Sequence, residues 1–273
     1  MNKPIGIFDS GIGGLTVVKQ LMKMLPDEQL IYFGDTARIP YGTRSRKLVQ
    51  QYALEDAHFL TQFDIKMIVV ACNTASSSAL PVLEENFDIP IIGVVKPGAE
   101  AAVNLTRNGK IGVIGTTATI NSDAYSMEIR KRMPQAQVFG QPCPLLVPLA
   151  EEGWLEDKVT LLTLEKYLTP MLQEKVDTLI LGCTHYPILE NAIRQVTGPK
   201  VQLVDSGKET AKVVRQTLLD LKLVNHSGRG GENRFFVSDA PAKFKEVGSL
   251  FLGEPLGHVE VVDFEAFIKK LNI

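Results

Sequence analysis

Short apolar segments alternate with longer segments of helical period along almost the whole chain, and this alternation limits the possible folds more than any other property of the sequence. The apolar segments are rich in Ile, Val and Leu, and several are apolar at nearly every position, which is typical of strands covered by helices on both faces. The predicted strands are 5–8, 30–33, 67–71, 91–95, 111–114, 136–139, 177–182, 201–204, 234–237 and 258–262. The pattern predicts an α/β protein with doubly wound parallel sheets.

A weak internal repeat relates two parts of the chain. IGIFDSG at 5–11 is similar to IGVIGTT at 111–117, and VVACNT at 69–74 is similar to LILGCT at 179–184. In each part a cysteine follows the third strand, and a fourth strand comes after it. The repeat therefore predicts two similar α/β units.

The strands after residue 230 need a sheet to join, and we expect them to return to the first unit. This predicts a discontinuous first domain of 1–97 plus 207–273 around an inserted second domain of 98–206. Lys96-Pro97-Gly98 and Asp205-Ser206-Gly207 are the expected breaks between the domains. The segment 225–233 is expected to form a surface loop.

Composition excludes several classes of function. The 273 residues carry 29 basic and 31 acidic side chains, for a formal net charge of -2, so no overall field favours nucleic acid or an anionic membrane. No apolar segment reaches bilayer-spanning length, and MNKPIGIFDS lacks the features of a signal peptide. We therefore expect a cytoplasmic protein with neither a nucleic-acid nor a membrane partner.

Two of the three cysteines follow predicted strands, at the sheet edge where α/β proteins bind ligands. Cys72 precedes Asn73-Thr74 and Cys183 precedes Thr184-His185, and helix-like sequence follows each pair. A helix N-terminus presents N–H groups to an anion and lowers the pKa of a thiol, so we expect both thiols to have pKa values near neutrality. The alternative is two buried core cysteines.

A pair of equivalent thiols suits a reaction that removes a proton from one face of a carbon atom and returns it to the other. Racemisation has this requirement, because the base and the acid exchange roles when the direction reverses. His185 is close enough in sequence to adjust the acidity of Cys183 or to supply a proton. Cys143, between two prolines, is expected to be structural because it lacks a strand-end and helix-start context.

The turn after the first strand, Asp9-Ser10-Gly11-Ile12-Gly13-Gly14, is rich in glycine but lacks the lysine and serine or threonine of a phosphate-binding loop. Asp9 can hold a substrate ammonium or relay a proton while Ser10 and nearby N–H groups bind a carboxylate, although a capping role is an equal alternative. The repeat aligns Thr116 and Thr117 with this turn, so they too are candidate carboxylate ligands or caps.

The segment Gly34-Asp35-Thr36-Ala37-Arg38-Ile39-Pro40-Tyr41-Gly42 follows the second strand and can form one wall of the same pocket. Pro40 and Gly42 are also explained by a turn, and Arg38 by a surface position. Either Glu151 or Glu152 can act as an acid behind the site, although adjacent glutamates usually form a solvated face.

Four segments in this order, DSGIGGLTV, FGDTARIPYG, VVACNTASS and LGCTHYP, resemble the signature segments of bacterial glutamate racemases, and the resemblance covers essentially the whole chain. It implies two α/β domains with the active site between them and a homodimer. It also implies interconversion of L- and D-glutamate for peptidoglycan synthesis without pyridoxal or a metal.

The same resemblance implies substrate contacts at Asp9-Ser10, Tyr41-Gly42, Asn73-Thr74 and Thr184-His185. It further implies that Cys72 deprotonates D-glutamate and that Cys183 deprotonates L-glutamate.

Three alternatives stay open at this point. The first is a two-thiol racemase for aspartate or another small acid, which would differ only in the size of its pocket. The second is a metal site built from Cys72, Cys183 and His185, although the close cysteine spacing of zinc sites is missing. The third is a noncatalytic nucleotide-binding module on the glycine-rich turn, which the missing lysine and the presence of Asp9 disfavour.

Overall fold

The protein is described here by a computed structural model that covers residues 3–225 and 231–271. Within these ranges it has ten strands, and each coincides with a predicted one to within three residues at either end. The strands are β1 Ile5–Asp9, β2 Leu30–Gly34, β3 Met67–Val70, β4 Ile91–Gly93, β5 Lys110–Gly115, β6 Gln137–Pro142, β7 Thr178–Gly182, β8 Gln202–Asp205, β9 Arg234–Val237 and β10 Val259–Val261.

The strands form two sheets in which every pairing is parallel. The first sheet has the order β10-β9-β2-β1-β3-β4 and the second has the order β6-β5-β7-β8. The order β2-β1-β3-β4 thus recurs as β6-β5-β7-β8, so the two parts of the chain are similar α/β units, as the sequence repeat predicted. Both cysteines of the repeat follow the third strand of their set.

Helices connect consecutive strands, as parallel strand pairing requires. They are α1 Leu15–Met24, α2 Arg46–Thr61, α3 Asn73–Asn86, α4 Val95–Leu105, α5 Thr117–Asn121, α6 Ala124–Arg132, α7 Leu146–Glu151, α8 Lys158–Gln173, α9 Glu190–Thr197, α10 Ser206–Asp220, α11 Pro241–Leu252 and α12 Phe264–Leu271. We call β1–β4, β9 and β10 with α1–α3, α11 and α12 the first lobe, and β5–β8 with α4–α9 the second lobe. Helix α10 packs against α1 of the first lobe and α4 of the second.

Both faces of each sheet are covered by apolar side chains, as the nearly continuous apolarity of the strands predicted. In β1, for example, Ile5 and Ile7 belong to a core cluster that extends between the lobes, whereas Phe8 belongs to a cluster on the opposite face under α2 and α3. A third cluster fills the space between the second sheet and helices α4 and α6. The doubly wound α/β fold class is confirmed.

The chain passes between the lobes at the starts of α4 and α10, and neither passage is the irregular break that was expected. Lys96-Pro97-Gly98 lies in the first turn of α4, where a proline is tolerated because the N–H groups there have no helical partner. Asp205 caps α10 by accepting hydrogen bonds from the N–H groups of Gly207 and Lys208. Strands β9 and β10 extend the first sheet, and the domain boundaries of 1–97 plus 207–273 and 98–206 remain a prediction.

Of the predicted loop at 225–233, residues 226–230 lie outside the described part of the chain. Across the ranges that the structure does describe, no helix combines the length and the apolar character needed to cross a bilayer.

Candidate active site

A cavity of about 320 Å³ lies where the carboxyl ends of the strands of the two sheets face one another. Both lobes line it, and its lining includes apolar side chains such as Ile39 and Val147. The candidate residues from the sequence that line it are Ser10, Pro40, Tyr41, Gly42, Cys72, Asn73, Thr74, Thr116, Thr117, Cys183, Thr184 and His185. Of the predicted site residues, only Asp9 is absent from its lining.

Cys72 contributes a thiol from the first lobe. It caps α3 with its side chain, because the Ala75 N–H donates to Sγ at 3.5 Å, and the thiol donates to the Ser10 hydroxyl at 3.6 Å. The expected fall in its pKa is wrong for this structure. Burial raises the pKa of Cys72 to about 12, the nearby Asp9 carboxylate adds to the rise, and hydrogen bonds from Ala75 and Ser10 oppose it. Two hydrogen bonds do not replace the hydration that a thiolate loses at 5% exposure.

Cys183 contributes a thiol from the second lobe and has a histidine beside it. Its Sγ lies 3.9 Å from Nδ1 of His185, and Nε2 of His185 lies 3.1 Å from Oε1 of Glu151. Burial lowers the pKa of His185, but the hydrogen bonds with Cys183 and Glu151 outweigh it and raise that pKa to about 10. The same hydrogen bond with His185 lowers the pKa of Glu151. The three side chains form a chain of acid–base groups.

Glu151 is the functional candidate that the sequence left undecided. It ends α7 and lines the cavity, whereas Glu152 is exposed to solvent. Lys243 of the first lobe also approaches Glu151, with 3.6 Å between Nζ and Oε2. Nothing in the pair Glu151-Glu152 distinguishes the two residues in sequence, because the choice depends on which of them faces His185.

Asp9 is completely buried behind the cavity and ends β1. Oδ2 accepts a hydrogen bond from the Gly11 N–H at 3.0 Å, and the Thr184 hydroxyl donates to Oδ1 at 3.4 Å. Burial raises the pKa of Asp9, and His185 and the N–H groups of Gly14 and Gly11 oppose the rise. Asp9 therefore lies behind the cavity wall, where its charge interacts with Cys72 and His185. It does not line the space that a ligand would fill.

The two lobes meet closely around the cavity. The hydroxyl groups of Thr74 in the first lobe and Thr116 in the second lie 2.9 Å apart, and Thr116 also caps α5. Glycines permit the approach, since a Cβ at Gly42 would lie 2.7 Å from Cβ of Thr116 and one at Gly13 would lie 2.3 Å from Oγ1 of Thr184. Thr116 therefore has both the capping role and the cavity position that the sequence left as alternatives.

The segment after β2 forms one wall of the cavity, as predicted, but Arg38 does not have the expected surface role. Arg38 forms ion pairs with Asp35, Glu55 and Asp56. Tyr41 is buried with them, and its hydroxyl donates to Asp35 at 2.5 Å. The hydroxyl of Tyr41 is therefore occupied away from the cavity, and this network holds the backbone of the wall in place.

Cys143 has a different environment from the other two cysteines, although its sequence context was misjudged. It does follow a strand directly, β6, and it precedes α7 by three residues. Its side chain is fully buried in the apolar core, where Sγ donates to the Gln141 carbonyl at 3.5 Å. Burial raises its pKa, with a further rise from Cys183. The expectation of a structural cysteine agrees with this position.

The zinc alternative lacks the arrangement that it needs. Within residues 3–225 and 231–271, no group of three or more His, Cys, Asp or Glu side chains is disposed to hold a metal ion. His185 instead lies between a thiol and a carboxylate, which is an acid–base arrangement.

Comparison with known proteins gives a consistent result. Residues 12–214 match the family model described as Asp/Glu/Hydantoin racemase. The chain is 52% identical over 264 residues to a glutamate racemase of Geobacter metallireducens, covering 97% of this chain and 98% of the relative.

Two solved structures are similar over nearly their whole length. A glutamate racemase isoform from Bacillus anthracis, RacE1, has a TM-score of 0.92 at 39% identity, covering 96% of this chain and 97% of that one. A glutamate racemase of Francisella tularensis, solved in complex with D-glutamate, has a TM-score of 0.91 at 43% identity, covering 97% and 99% respectively.

Proposed function

The chain belongs to the Asp/Glu/hydantoin racemase family, and we propose that it interconverts L- and D-glutamate by a two-base reaction at the cavity between its lobes. Cys72 and Cys183 are the two bases. The observation that carries the proposal is that one cavity is lined by a thiol at the end of β3 and by its counterpart at the end of β7. The D-glutamate bound by the Francisella tularensis relative supports the choice of substrate.

Polar groups on both lobes are available to bind the substrate. The hydroxyls of Ser10, Thr74, Thr116 and Thr117 and the amide of Asn73 can donate to carboxylates. Thr184 and the turn at Pro40-Tyr41-Gly42 complete the binding surface. Because these groups come from two lobes, substrate bound between them holds Cα between the two thiols.

Each turnover moves one proton from Cα and returns one. The thiolate of one cysteine takes the proton as the Cα–H bond breaks, and the electron pair is delocalised toward the substrate carboxylate. The opposite thiol then donates its proton to the other face of Cα and becomes a thiolate. The two cysteines have exchanged charge states, so the reverse reaction uses the same groups.

The remaining residues adjust this exchange. His185 lies within reach of Cys183 to give or take a proton, and Glu151 favours the imidazolium form. Asp9 lies behind the cavity wall, and its negative charge disfavours a thiolate at Cys72. A cation that neutralises the Asp9 carboxylate would remove this effect. A substrate ammonium can supply this neutralisation, which would couple activation of Cys72 to substrate binding.

The proposal is tested by incubating the purified protein with L-glutamate in deuterated water without added cofactor. We expect optical rotation to be lost together with the Cα–H signal. The same experiment with L-aspartate examines the alternative substrate, since equal rates with aspartate would contradict the assignment to glutamate. A requirement for added pyridoxal phosphate or a metal would contradict the cofactor-independent reaction.

Three wider statements are also proposals. We propose that the enzyme is cytoplasmic, that it forms a homodimer, and that its D-glutamate is used in peptidoglycan synthesis. Sedimentation analysis tests the dimer. A depleted strain tests the third statement, because it should lyse during growth and be rescued by external D-glutamate.

A further inference from the structure

The side-chain amide of Asn73 has one partner and one unused donor. Asn73 begins α3 directly after Cys72, is 2% exposed and lines the cavity. Its Oδ1 accepts a hydrogen bond from the hydroxyl of Tyr125 at 2.6 Å. Its Nδ2 is buried without a hydrogen-bond partner among the described residues. A buried N–H donor left unpaired costs free energy, so a ligand that accepts from it is favoured.

Tyr125 lies in the second lobe, at the joint between the lobes. Its ring fits between two glycines, because a Cβ at Gly98 would lie 3.3 Å from Cε1 and one at Gly182 would lie 3.2 Å from Cε2. The side chain of Ser206 lies close enough to the phenol to oppose the rise in the pKa of Tyr125 that burial causes. Gly98 lies in the first turn of α4 and Ser206 is the first residue of α10. Tyr125 therefore contacts both segments at which the chain passes between the lobes.

We propose that Tyr125 is a positioning residue that holds the Asn73 amide with its oxygen toward the second lobe and its N–H groups free for a substrate carboxylate. The proposal rests on the glutamate racemase function proposed above. The side-chain amide of Asn73 can exchange the positions of its oxygen and its NH₂ group by rotation about its last bond, at little intrinsic cost. Its oxygen would then face the substrate carboxylate and repel it. A buried phenol that donates to Oδ1 selects the orientation in which the carboxylate meets a donor.

The bond between Tyr125 and Asn73 also crosses from one lobe to the other. It therefore requires the lobes to be as close as they are in this structure. Opening of the cavity to admit substrate would break it, and closure would restore both the bond and the orientation of the amide. Tyr125 thus links the arrangement of the joint to the readiness of the binding surface, without touching the substrate.

The principal test compares Tyr125→Phe with the wild type and with Tyr52→Phe. Phenylalanine keeps the ring and removes the hydroxyl, so we expect an unchanged fold and a KM for glutamate about tenfold higher, as for the loss of one buried hydrogen bond. We expect kcat to change less than KM, because neither thiol is altered. Tyr52 packs on Tyr41 and Arg38 through its ring, and Tyr52→Phe should leave KM unchanged.

A double-mutant cycle separates positioning from general packing. In an Asn73→Ala background, Tyr125→Phe should change KM by less than about twofold, because the group that it positions is gone. Additive effects in the double variant, or an unchanged KM in folded Tyr125→Phe, would overturn the proposal.

If Tyr125→Phe does not fold, a further variant tests the donor role of the Asn73 amide. Asn73→Asp retains an acceptor for the phenol but replaces the N–H donor with an oxygen that repels a carboxylate, so KM should rise at least as much as in Asn73→Ala. A normal KM in Asn73→Asp would refute the donor role. A wild-type protein that does not racemise glutamate would overturn both this inference and the proposed function. An active wild type with an insensitive Tyr125→Phe variant would overturn the inference alone.

Discussion

The two cavity cysteines occupy matching positions in their sheets but have different surroundings. Cys72 has hydrogen-bond donors and the buried Asp9 carboxylate near it, and its pKa is raised to about 12. Cys183 has His185 at 3.9 Å, and that histidine is paired with Glu151. The two lobes therefore place their cysteines at equivalent positions but surround them with different acid–base groups.

This difference suggests that the two directions of the reaction depend on different residues. On the first lobe, a thiolate would lie near the buried Asp9 carboxylate, so a positive charge supplied by the substrate would stabilise it. On the second lobe, a histidine and a glutamate provide a route for protons. Variants of the two sets should consequently affect the two directions unequally.

The largest effects are expected from Cys72→Ser and Cys183→Ser. Each should lower racemisation in both directions by about 10³-fold or more, because a serine hydroxyl is a much weaker acid and base here. Circular dichroism of glutamate follows the loss of its optical activity and so measures the racemisation rate. Thermal unfolding checks that each variant is folded.

A half-reaction should separate the two thiols. With glutamate analogues that carry a β leaving group, only removal of the Cα proton is needed before the group departs. Cys72→Ser should retain elimination from the L-analogue and lose it from the D-analogue, and Cys183→Ser should do the reverse. If both folded variants lost both eliminations equally, the assignment of one thiol to each face would be wrong.

The next effect in size is expected from Asp9→Asn. Asparagine keeps the shape and removes the charge, so we expect kcat to fall by about 10²-fold, within the range for groups that govern proton transfer, while the fold is retained. Asp88→Asn, at an exposed position, is the matched control. Near-normal turnover of folded Asp9→Asn would contradict any role of Asp9 in the reaction.

The strands and strand ends of this protein could be predicted because each depends on a short, continuous stretch of sequence. The apolar segments located the ten strands of the described residues, and the strand ends placed Cys72, Cys183 and His185 at the carboxyl edges of their sheets, where they line one cavity. What it missed depends on contacts between distant segments. The ion pairs of Arg38 with Glu55 and Asp56, and the bond from Tyr125 to Asn73, join residues that no local pattern relates.

The error over the pKa of Cys72 has a similar origin. A helix N-terminus is visible in a sequence, but the burial of the thiol and the approach of Asp9 are not. The lost hydration outweighs the gain from two donors. The irregular break expected at Lys96-Pro97-Gly98 is instead the first turn of α4. Proline and glycine occur both in breaks and in the first turns of helices, so the sequence did not distinguish the two.

A smaller effect, confined to the second lobe, is expected from Glu151→Gln. Without the carboxylate, the pKa of His185 should fall from about 10, and deprotonation of L-glutamate should slow by about tenfold, as for the loss of a charged hydrogen bond. Deprotonation of D-glutamate should slow less. NMR titration of His185 measures the pKa, and exposed Glu152→Gln is the control.

The same pair makes a prediction about stability. The pKa of His185 is raised on folding, so its contribution is complete below 6.5 and is lost as the pH rises through about 10. The pKa of Glu151 is lowered, so its contribution is present above 4.5 and is lost as the pH falls. The difference in free energy of unfolding between wild type and Glu151→Gln should therefore decrease from near neutral pH toward pH 10. A constant difference over that range would contradict the pairing.

The smallest effect on catalysis is expected from Cys143→Ala, which sharpens the comparison by removing the third thiol. Cys143 is fully buried and does not line the cavity, and its Sγ donates a hydrogen bond to the carbonyl of Gln141. The bond from the Tyr186 hydroxyl to the Cys143 carbonyl uses the backbone and survives the change. We therefore expect normal rates in both directions and a free energy of unfolding lower by about 1 kcal/mol, from lost packing around a small buried side chain. Urea unfolding measures the stability, and the two rates are measured separately from each enantiomer.

If Cys143→Ala slowed one direction more than the other, proton transfer would involve a third thiol. The difference between the two lobes could then no longer be attributed to His185 and Glu151 alone.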